Sequence, residues 1–336
     1  MTQPRIIYLD LLRLLATLAV IMLHVSCMAI EVSTNHISNS IGLAYDSLCR
    51  WCVPVFVMIS GSLFLNKEKQ ITIMSLYKKY ILRIIVAFVS WTAIYIWVFE
   101  PFLHIIKHIP FSPSSFMDAL RDPLTPGFHM WFLPMIIMLY IFLPFFKLVV
   151  NDEKLSNYFL LLWFVWACLT SIFNDGINYL LFATMVFGFG GYMILGHKLS
   201  NTEICFNNFV LSTIFIAVCL IVFVIALHVP NIEIVFQYLN PLVIIMAAAF
   251  FCLIKSVGKR IKDDCWLANL LGFIHGDLFG VYLIHLFFIR LLFRPHFYGQ
   301  MPVLISIPLF SIIVFIVSLF TIKIMRKIPI IRYICS

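Results

Sequence analysis

Long apolar segments alternate with short polar stretches along nearly the whole chain. Each segment approaches the roughly 20 mostly apolar residues that a helix needs to cross a membrane, and none shows the apolar–polar alternation of a membrane β-strand. The pattern therefore predicts an all-α, polytopic membrane protein with about ten transmembrane helices. Their predicted bounds are 6–30, 42–65, 81–99, 128–146, 157–173, 179–196, 208–228, 234–254, 271–292 and 302–322.

The composition supports the same fold class. Of the 336 residues, 63% are hydrophobic and 11% are charged, whereas a soluble domain carries about 25% charged residues. So few charges cannot cover a soluble surface, which excludes a large soluble catalytic domain and also the disordered, collagen-like and disulfide-scaffold classes. No flexible linker divides the chain, so we expect one transmembrane domain over residues 1–336 and no separate soluble domain.

The lysines and arginines predict the orientation. With a cytoplasmic N-terminus, 17 of the 23 basic residues fall on the cytoplasmic side and three on the outer side. Cytoplasmic loops are rich in Lys and Arg, so both termini are predicted to be cytoplasmic, and the net charge of +8 is assigned to the membrane and not to nucleic acid. The first segment contains Asp10 and Arg13 and lacks a cleavage site, so it is predicted to be a retained helix and not a signal peptide.

Polar residues inside the first segment form one stripe. Four of them share an arc of about 60° on a helix, namely Asp10, Arg13, Thr17 and His24. An ionisable residue within a membrane is destabilising unless it is paired or faces a cavity. Asp10 and Arg13 could be a purely structural pair near the interface. For His24, about 16 Å from Arg13 along the axis, the aligned stripe favours a functional role over a buried structural histidine.

The second and third segments carry further charges. Asp46 and Arg50 are four residues apart and can pair, either to fix helix packing or to serve a site. The third segment opens with Lys78, Lys79 and Arg83. The positive-inside bias alone explains the two lysines, whereas Arg83 lies deeper and its guanidinium could bind phosphate.

Histidines and aromatic residues mark the fourth and ninth segments. The fourth begins with His129 and Trp131, and the ninth contains Tyr282 and His285. Trp131 also fits an interfacial aromatic belt, and His285 also fits a structural hydrogen bond between helices. The outer loop 100–127 is interpreted as a lid, an acceptor site or a plain polar loop. No metal site is predicted, since no HExxH pattern occurs.

Four short motifs occur in chain order on this framework. They are Arg13-x10-His24, Pro54-x-Phe56-x3-Ser60-Gly61, His129-x-Trp131-Phe132 followed by Tyr140 and Pro144, and Tyr282-x-x-His285. Together they resemble the acyltransferase-3 family of integral membrane acyltransferases, along nearly the whole chain. The likeness is greatest to stand-alone members such as the O-acetyltransferases of enterobacterial common antigen. Two positions depart from the family pattern: Tyr80, beside Lys79, replaces an arginine, and Leu278, beside Asp277, replaces a serine.

The resemblance implies transfer of an acetyl group from acetyl-CoA to a hydroxyl of a cell-surface or lipid-linked glycan, in the cytoplasmic (inner) membrane of a bacterium. It implies no metal and no nucleic acid, and its partners are acyl-CoA, the saccharide acceptor and membrane lipid. His24 would be the general base, since the ordinary pKa of imidazole, about 6.5, lies near working pH. The implied site residues are His24, Arg13 and Asp10 for catalysis, Arg13, Lys79, Arg83 and Ser60 for CoA, and Arg50, His129, Trp131, Tyr282 and His285 for the acceptor.

Other functions remain open from the sequence. A transporter or flippase for a lipid-linked saccharide would explain the charges inside the membrane equally well. A sensor or scaffold for a glycan synthase would tolerate replacement of His24. Within the acyltransferase interpretation, a succinyl donor and an acyl-histidine intermediate are alternatives.

Overall fold

The computed structural model describes residues 5–32, 35–66, 71–107, 129–172, 184–229, 232–292 and 301–335. These ranges are all-helical and contain no strand. In chain order, the α-helices up to residue 172 are α1 (Ile7–Val32), α2 (His36–Cys49), α3 (Cys52–Phe64), α4 (Ile73–Ser75), α5 (Leu82–Ile94), α6 (Glu100–Lys107), α7 (Phe132–Ile141), α8 (Leu143–Asn151) and α9 (Glu153–Ile172).

The remaining α-helices follow after residue 183. They are α10 (Phe189–Asn201), α11 (Asn208–His228), α12 (Ile232–Phe236), α13 (Pro241–Gly258), α14 (Trp266–Ile274), α15 (Leu278–Leu292), α16 (Val303–Met325) and α17 (Pro329–Cys335). Three stretches are π-helical, with wider turns than an α-helix: Leu76–Ile81, Tyr95–Phe99 and Thr184–Gly188. Two of these interrupt the helical run between residues 73 and 107.

Several of these helices are long and apolar enough to cross a membrane. In the described ranges they are Ile7–Glu31, His36–Phe64, Ile73–Ile106, Asn208–His228, Ile234–Gly258 and Val303–Met325. The broken pairs α7 with α8 and α14 with α15 raise the number from six to eight if each pair is one span. The predicted fold class, an all-α multi-pass membrane protein, is confirmed.

Eight of the ten predicted segments coincide with these spans. The fifth predicted segment coincides with α9, which does not meet the same criteria for a span, and the sixth begins at residue 179, outside the described residues. Residues 108–127 of the outer loop also lie outside them, while Glu100–Lys107 is the helix α6. The total of ten spans, the cytoplasmic termini and the role of that loop stay predictions.

The helices group into two compact units. The first comprises Met1–Gln70 and Phe142–His275, and the second comprises Ile71–Ile141 and Gly276–Ser336. The first unit contains the predicted stripe of α1, and the second contains His129 and His285. The single functional domain over 1–336 stays a prediction.

Glycines let α3 and α10 touch backbone to backbone in the first unit. A Cβ atom on Gly61 would overlap the carbonyl oxygen of Met193, and one on Gly196 would overlap the carbonyl oxygen of Met58. The Ser62 hydroxyl adds a bond across the same contact, donating to the Gly196 carbonyl at 3.0 Å. Glycine at these two positions thus allows the close helix packing that is typical of membrane helices.

A buried lysine holds the end of α10. Lys255 on α13 is 1% exposed, and its Nζ donates to the carbonyl oxygens of Leu199 at 2.6 Å and Thr202 at 2.8 Å. The last carbonyls of a helix lack partners within the helix, and a cation is favourable at that end of the helix dipole. The lysine therefore fixes α13 against the C-terminus of α10.

Helix α15 is the centre of the second unit. Every residue from Gly280 to Ile289 is buried, because α15 packs against both α16 and α17. Helix α17 also packs against α5, where the Trp91 indole nitrogen donates to the Ile334 carbonyl at 3.0 Å. The second unit thus surrounds a helix that is apolar on nearly all sides, as expected for a buried membrane helix.

The glycine contact between α3 and α10 predicts a stability effect. Gly196→Ala places a methyl group against the Met58 backbone, which cannot move aside, so we expect destabilisation of about 2–3 kcal/mol. Gly42→Ala is the control, since the two atoms nearest its methyl group would belong to the Ile30 side chain, which can shift, and the Ser26 carbonyl oxygen would lie at an ordinary contact distance of 3.6 Å. We expect a loss of roughly 1 kcal/mol or less. Thermal unfolding in detergent measures both, and equal losses would contradict the backbone contact.

Candidate active site

The first group of the candidate site is the charged end of α1. Asp10 is 3% exposed and accepts bonds on both carboxylate oxygens: Oδ2 from Arg5 Nε at 2.5 Å and Oδ1 from Arg13 Nη1 at 2.7 Å. Arg5 is itself fixed by a bond to the Ala268 carbonyl at 2.9 Å. Because both oxygens are occupied, this geometry suits Asp10 to orient Arg13 more than to exchange protons with a substrate.

Arg13 and His24 lie along one continuous helix. The bond to Asp10 is the only one that the Arg13 side chain makes among the described residues, and this side chain is 29% exposed. Its Nε and Nη2 donors are therefore available to a ligand. The Thr17 hydroxyl, between the two residues in the stripe, donates to the Arg13 carbonyl at 2.8 Å. His24 is partly buried, in the second half of α1.

The second span holds a buried ion pair. Arg50 Nη2 lies 2.5 Å from Asp46 Oδ2, with the two side chains 13% and 3% exposed. Arg50 also donates to the Phe236 carbonyl at 3.2 Å, and its guanidinium carbon lies 4.2 Å from the centre of the Phe236 ring. The Cys27 thiol lies 3.8 Å from the same carboxylate oxygen. The pairing suggested by the four-residue spacing is present, and it joins α1, the end of α2 and α12.

Pro54 explains why the span breaks beside Arg50. Proline has no N–H, so the Arg50 carbonyl loses the donor four residues ahead that an unbroken helix would supply. Residues 50 and 51 are accordingly in a turn between α2 and α3. The break places Arg50 at a helix end, from which its side chain reaches the aromatic ring of Phe236.

Ser60 lies on α3, one residue before the glycine contact. Its hydroxyl donates to the Phe56 carbonyl of the same helix at 3.2 Å, and the residue is partly buried. A hydroxyl can still accept a bond while it donates one. The CoA contact that the family resemblance implies for Ser60 stays a prediction.

The second unit gathers four buried rings around one turn of α15. The rings of His129 and His285 have centroids 4.9 Å apart, and His129 lies 5.5 Å from both Tyr95 and Tyr282. The Tyr95 hydroxyl donates to the Leu283 carbonyl at 2.8 Å, and the Tyr282 hydroxyl donates to the His129 carbonyl. Three predicted acceptor residues are thus brought together, and Tyr95 is a fourth member that the sequence analysis missed.

Backbone carbonyls fix the proton on each histidine of this cluster. His285 Nδ1 lies 2.6 Å from the Tyr282 carbonyl oxygen, and His129 Nε2 lies 3.2 Å from the Leu283 carbonyl oxygen. A carbonyl oxygen only accepts, so these two nitrogens carry the protons. In the neutral rings the opposite nitrogens, His285 Nε2 and His129 Nδ1, are then acceptors. The cluster has the chemistry to receive a hydrogen bond from a hydroxyl.

The other predicted residues of the second unit lie at its periphery. Trp131 is partly exposed and packs against Phe132 with ring centroids 6.5 Å apart. Lys79 is exposed, with its ammonium 5.5 Å from the centre of the Tyr80 ring, and Arg83 is partly buried on α5. Neither Lys79 nor Arg83 forms a salt bridge with a carboxylate among the described residues.

Comparison with known families decides between the candidate classes. The model of one family, described as an acyltransferase domain, matches residues 6–323. The chain belongs to the acyltransferase-3 family. No curated protein and no solved structure gives a significant match. Membership indicates a membrane acyltransferase, so the family anticipated from the four motifs is confirmed.

In this acyltransferase-3 protein the motifs divide between the two units. The motifs of Arg13 with His24 and of Pro54 with Ser60 belong to the first unit. The motif of Tyr282 with His285 belongs to the second, as does the motif that begins at His129 apart from its last residue, Pro144. The first unit supplies the ion pairs of Asp10 and Asp46. The second supplies the buried ring cluster, so each unit has its own chemically distinct group.

The sequence analysis missed two ion-pair networks in the second unit of the acyltransferase. Asp277 bonds Lys323 Nζ at 2.8 Å and also pairs with Arg326. Arg290 pairs with both carboxylate oxygens of Glu100, with Nη2 at 2.9 Å. Lys323 and Arg326 are among the 17 basic residues that the positive-inside bias explains without any partner. Because Asp277 and Lys323 are 46 residues apart, no local spacing signals their contact.

Metal chemistry has no evident ligand set in the described part of the acyltransferase. No group of three or more His, Cys, Asp and Glu side chains there could hold a metal ion. The cysteines are free thiols, and Cys49 and Cys52, which form a C-x-x-C pattern, are both buried. The prediction of a metal-free site stays a prediction.

The Asp46–Arg50 pair predicts a non-additive stability effect. Removing one partner leaves a buried charge without its counterion, so Asp46→Asn or Arg50→Gln should each destabilise the protein by about 3–5 kcal/mol. The double variant removes both charges and should lose less than the sum of the two single losses. Thermal unfolding in detergent gives the cycle, and strictly additive losses would show that the pair is not coupled.

Proposed function

We propose that this protein is a membrane O-acyltransferase of a bacterial inner membrane. It moves an acetyl group from cytosolic acetyl-CoA to a hydroxyl of a cell-surface or lipid-linked glycan. The observation that carries the proposal is the polar face of α1, where Asp10 holds Arg13 on the same side of the helix as His24. In an acyltransferase-3 protein, that face offers an anion-binding guanidinium and a base on one rigid element.

The proposed chemistry is direct transfer with general base catalysis. The acceptor oxygen attacks the carbonyl carbon of the thioester while His24 removes the hydroxyl proton. The carbon–sulfur bond then breaks, and the proton passes from His24 to the thiolate, which leaves as the free thiol of CoA. A histidine is suited to both transfers, since its ordinary pKa of about 6.5 lies near working pH.

The spacing on α1 supports the orientation of the donor. The Nε and Nη2 donors of Arg13, which make no bond within the described ranges, suit a CoA phosphate. The residue is assigned to the cytoplasmic half of the span. The pantetheine arm separates the phosphates of CoA from its thioester. With phosphates near Arg13, the thioester would lie deeper, toward His24, about 16 Å further along the helix. The family resemblance adds Lys79, Arg83 and Ser60 as further CoA contacts.

The acceptor is assigned to residues of the family motifs. Among them, His129, Tyr282 and His285 form the cluster whose ring nitrogens can accept bonds from sugar hydroxyls. Trp131 would offer an aromatic face to a sugar ring, and Arg50 would stabilise the developing oxyanion. The likeness to O-acetyltransferases of enterobacterial common antigen suggests a lipid-linked saccharide as the acceptor.

The competing proposal is a saccharide transporter or flippase without acyl chemistry. The ion pairs of Asp10 and Asp46 suit a transport path as well as a catalytic site. Family membership favours the acyltransferase. The two functions differ in one measurable respect, because a transporter consumes no acyl-CoA.

The first test is replacement of His24. The protein in nanodiscs receives radiolabelled acetyl-CoA and a membrane lipid-glycan extract, and base-labile label in the glycan is counted. His24→Ala should lower the rate by about 10²–10⁴-fold, the usual contribution of a general base. His228→Ala is the matched control, since His228 is exposed and its one hydrogen bond among the described residues is to Val224 of its own helix. It should retain the full rate.

A normal rate for His24→Ala at equal protein level would contradict the base. A burst of label on the protein before glycan labelling would indicate an acyl-histidine intermediate instead of direct transfer. No labelling by wild-type protein with either acetyl-CoA or succinyl-CoA, together with saccharide movement across the bilayer, would replace the enzyme proposal with the transporter.

A second test separates positioning from catalysis at Asp10. Asp10→Asn removes the charge that holds Arg13, so we expect the KM for acetyl-CoA to rise about tenfold while kcat changes less, because a loss of about 1.4 kcal/mol in binding is tenfold. Asp152→Asn is the control, since the side-chain bonds of Asp152 in the described part of the chain are to the backbone of Lys154 and Leu155, at the start of α9. A loss confined to kcat would assign Asp10 a direct role in the chemistry.

A further inference from the structure

The starting observation is a group of charges at one end of the second unit. Asp277 is buried and accepts from Lys323 Nζ at 2.8 Å, and its other carboxylate oxygen pairs with the Arg326 guanidinium. Both cations lie on or next to the last turn of α16 and are partly exposed. The group therefore consists of one buried anion and two cations that are paired with it and partly exposed.

A third cation approaches the same group from α5. Arg83 interacts electrostatically with Arg326 and with the hydroxyl-bearing ring of Tyr333, and it has no carboxylate partner among the described residues. Helix α17, which carries Tyr333, packs against α5, α15 and α16 and so connects these elements. A bound anion lowers the mutual repulsion of like charges, so this arrangement of cations suits an anionic ligand.

Beside Asp277, the backbone lies close to the Arg326 side chain and carries a partial positive charge. Gly276 leaves room for Arg326, since a Cβ atom there would lie 3.2 Å from Arg326 Nη1. Helix α15 begins at Leu278, so the positive end of its dipole lies at the same place. Guanidinium groups together with a helix N-terminus form a combination that recurs in phosphate binding.

We propose that Arg83, Lys323 and Arg326 form a phosphate-binding site, with Asp277 as the residue that positions Lys323 and Arg326. The three cations lie on the face predicted to be cytoplasmic. Two sources of phosphate reach that face: the phosphates of acyl-CoA, which would make the site part of donor recognition, and the headgroup of an anionic lipid. The CoA source rests on the proposed function, whereas the lipid source does not.

The decisive measurement is binding by the full-length protein in phosphatidylcholine nanodiscs. Radiolabelled CoA is displaced by CoA, by 3′-dephospho-CoA and by pantetheine, which has no phosphate. Arg326→Gln and Lys323→Gln should each weaken CoA binding about tenfold or more and leave pantetheine affinity unchanged. Lys327→Gln is the matched control, since it removes the same charge one residue away at an exposed position, and it should change neither affinity.

The lipid source has its own arm of the same experiment. In nanodiscs containing phosphatidylglycerol, native mass spectrometry counts the lipids that stay bound. Loss of bound phosphatidylglycerol in Arg326→Gln, with CoA affinity unchanged, would support the phosphate site and assign it to lipid. Arg326→Lys keeps the charge and should retain most of the binding, which guards against a variant that merely unfolds.

Two results would overturn the site. One is unchanged CoA affinity and unchanged lipid retention in both variants. The other is equal weakening of CoA and pantetheine, which would show structural damage and no phosphate contact. The assay needs neither acceptor nor chemistry, so wild-type protein that binds CoA but transfers no acyl group would contradict the proposed function and leave the site intact.

Discussion

Paired charge is the interaction on which the candidate site depends. An ionised side chain inside a membrane is strongly destabilising unless an opposite charge or a hydrogen-bond donor reaches it. Asp10 meets this requirement by binding Arg5 and Arg13, and Asp46 by binding Arg50. In each case the carboxylate orients a guanidinium while neutralising its charge. The protein can therefore keep arginines within apolar helices. There a guanidinium with N–H donors left over can bind an anionic or polarised group strongly, because little water competes for it.

The backbone framework allows these pairs to be held in place. Glycines bring α3 and α10 into backbone contact, so α3 has little freedom to slide along its neighbour. Pro54, in the first turn of α3, leaves the Arg50 carbonyl without a helical donor, and α2 accordingly ends at Cys49. The Asp46–Arg50 pair thus lies beside a fixed helix. At the break between α2 and α3, the Arg50 side chain reaches Phe236 of α12. Packing and electrostatics act on adjacent residues, and neither alone would define the position of Arg50.

Contacts between residues close in sequence could be predicted, whereas contacts between distant segments could not. The polar stripe of α1 and the Asp46–Arg50 spacing follow from helical periodicity within one segment, and the structure contains the Asp10–Arg13 and Asp46–Arg50 pairs. Tyr95 could not be assigned, because its partner, the Leu283 carbonyl, lies 188 residues away. The same holds for Asp277 with Lys323. Lys323 fits the positive-inside bias by itself. The periodicity of its helix contains no information about which distant carboxylate the lysine contacts.

Leu283 shows how the fold restricts movement in the second unit. Its carbonyl oxygen accepts from both the Tyr95 hydroxyl and His129, although it already belongs to the hydrogen-bonded ladder of α15. If α15 rotated or slipped by one residue, both side chains would lose their acceptor, at about 1–3 kcal/mol for each buried polar group left unsatisfied. Helix α15 is therefore locked in rotational register with Tyr95 and His129. A movement that keeps Tyr95, His129 and α15 together avoids this loss, whereas one that separates them incurs it.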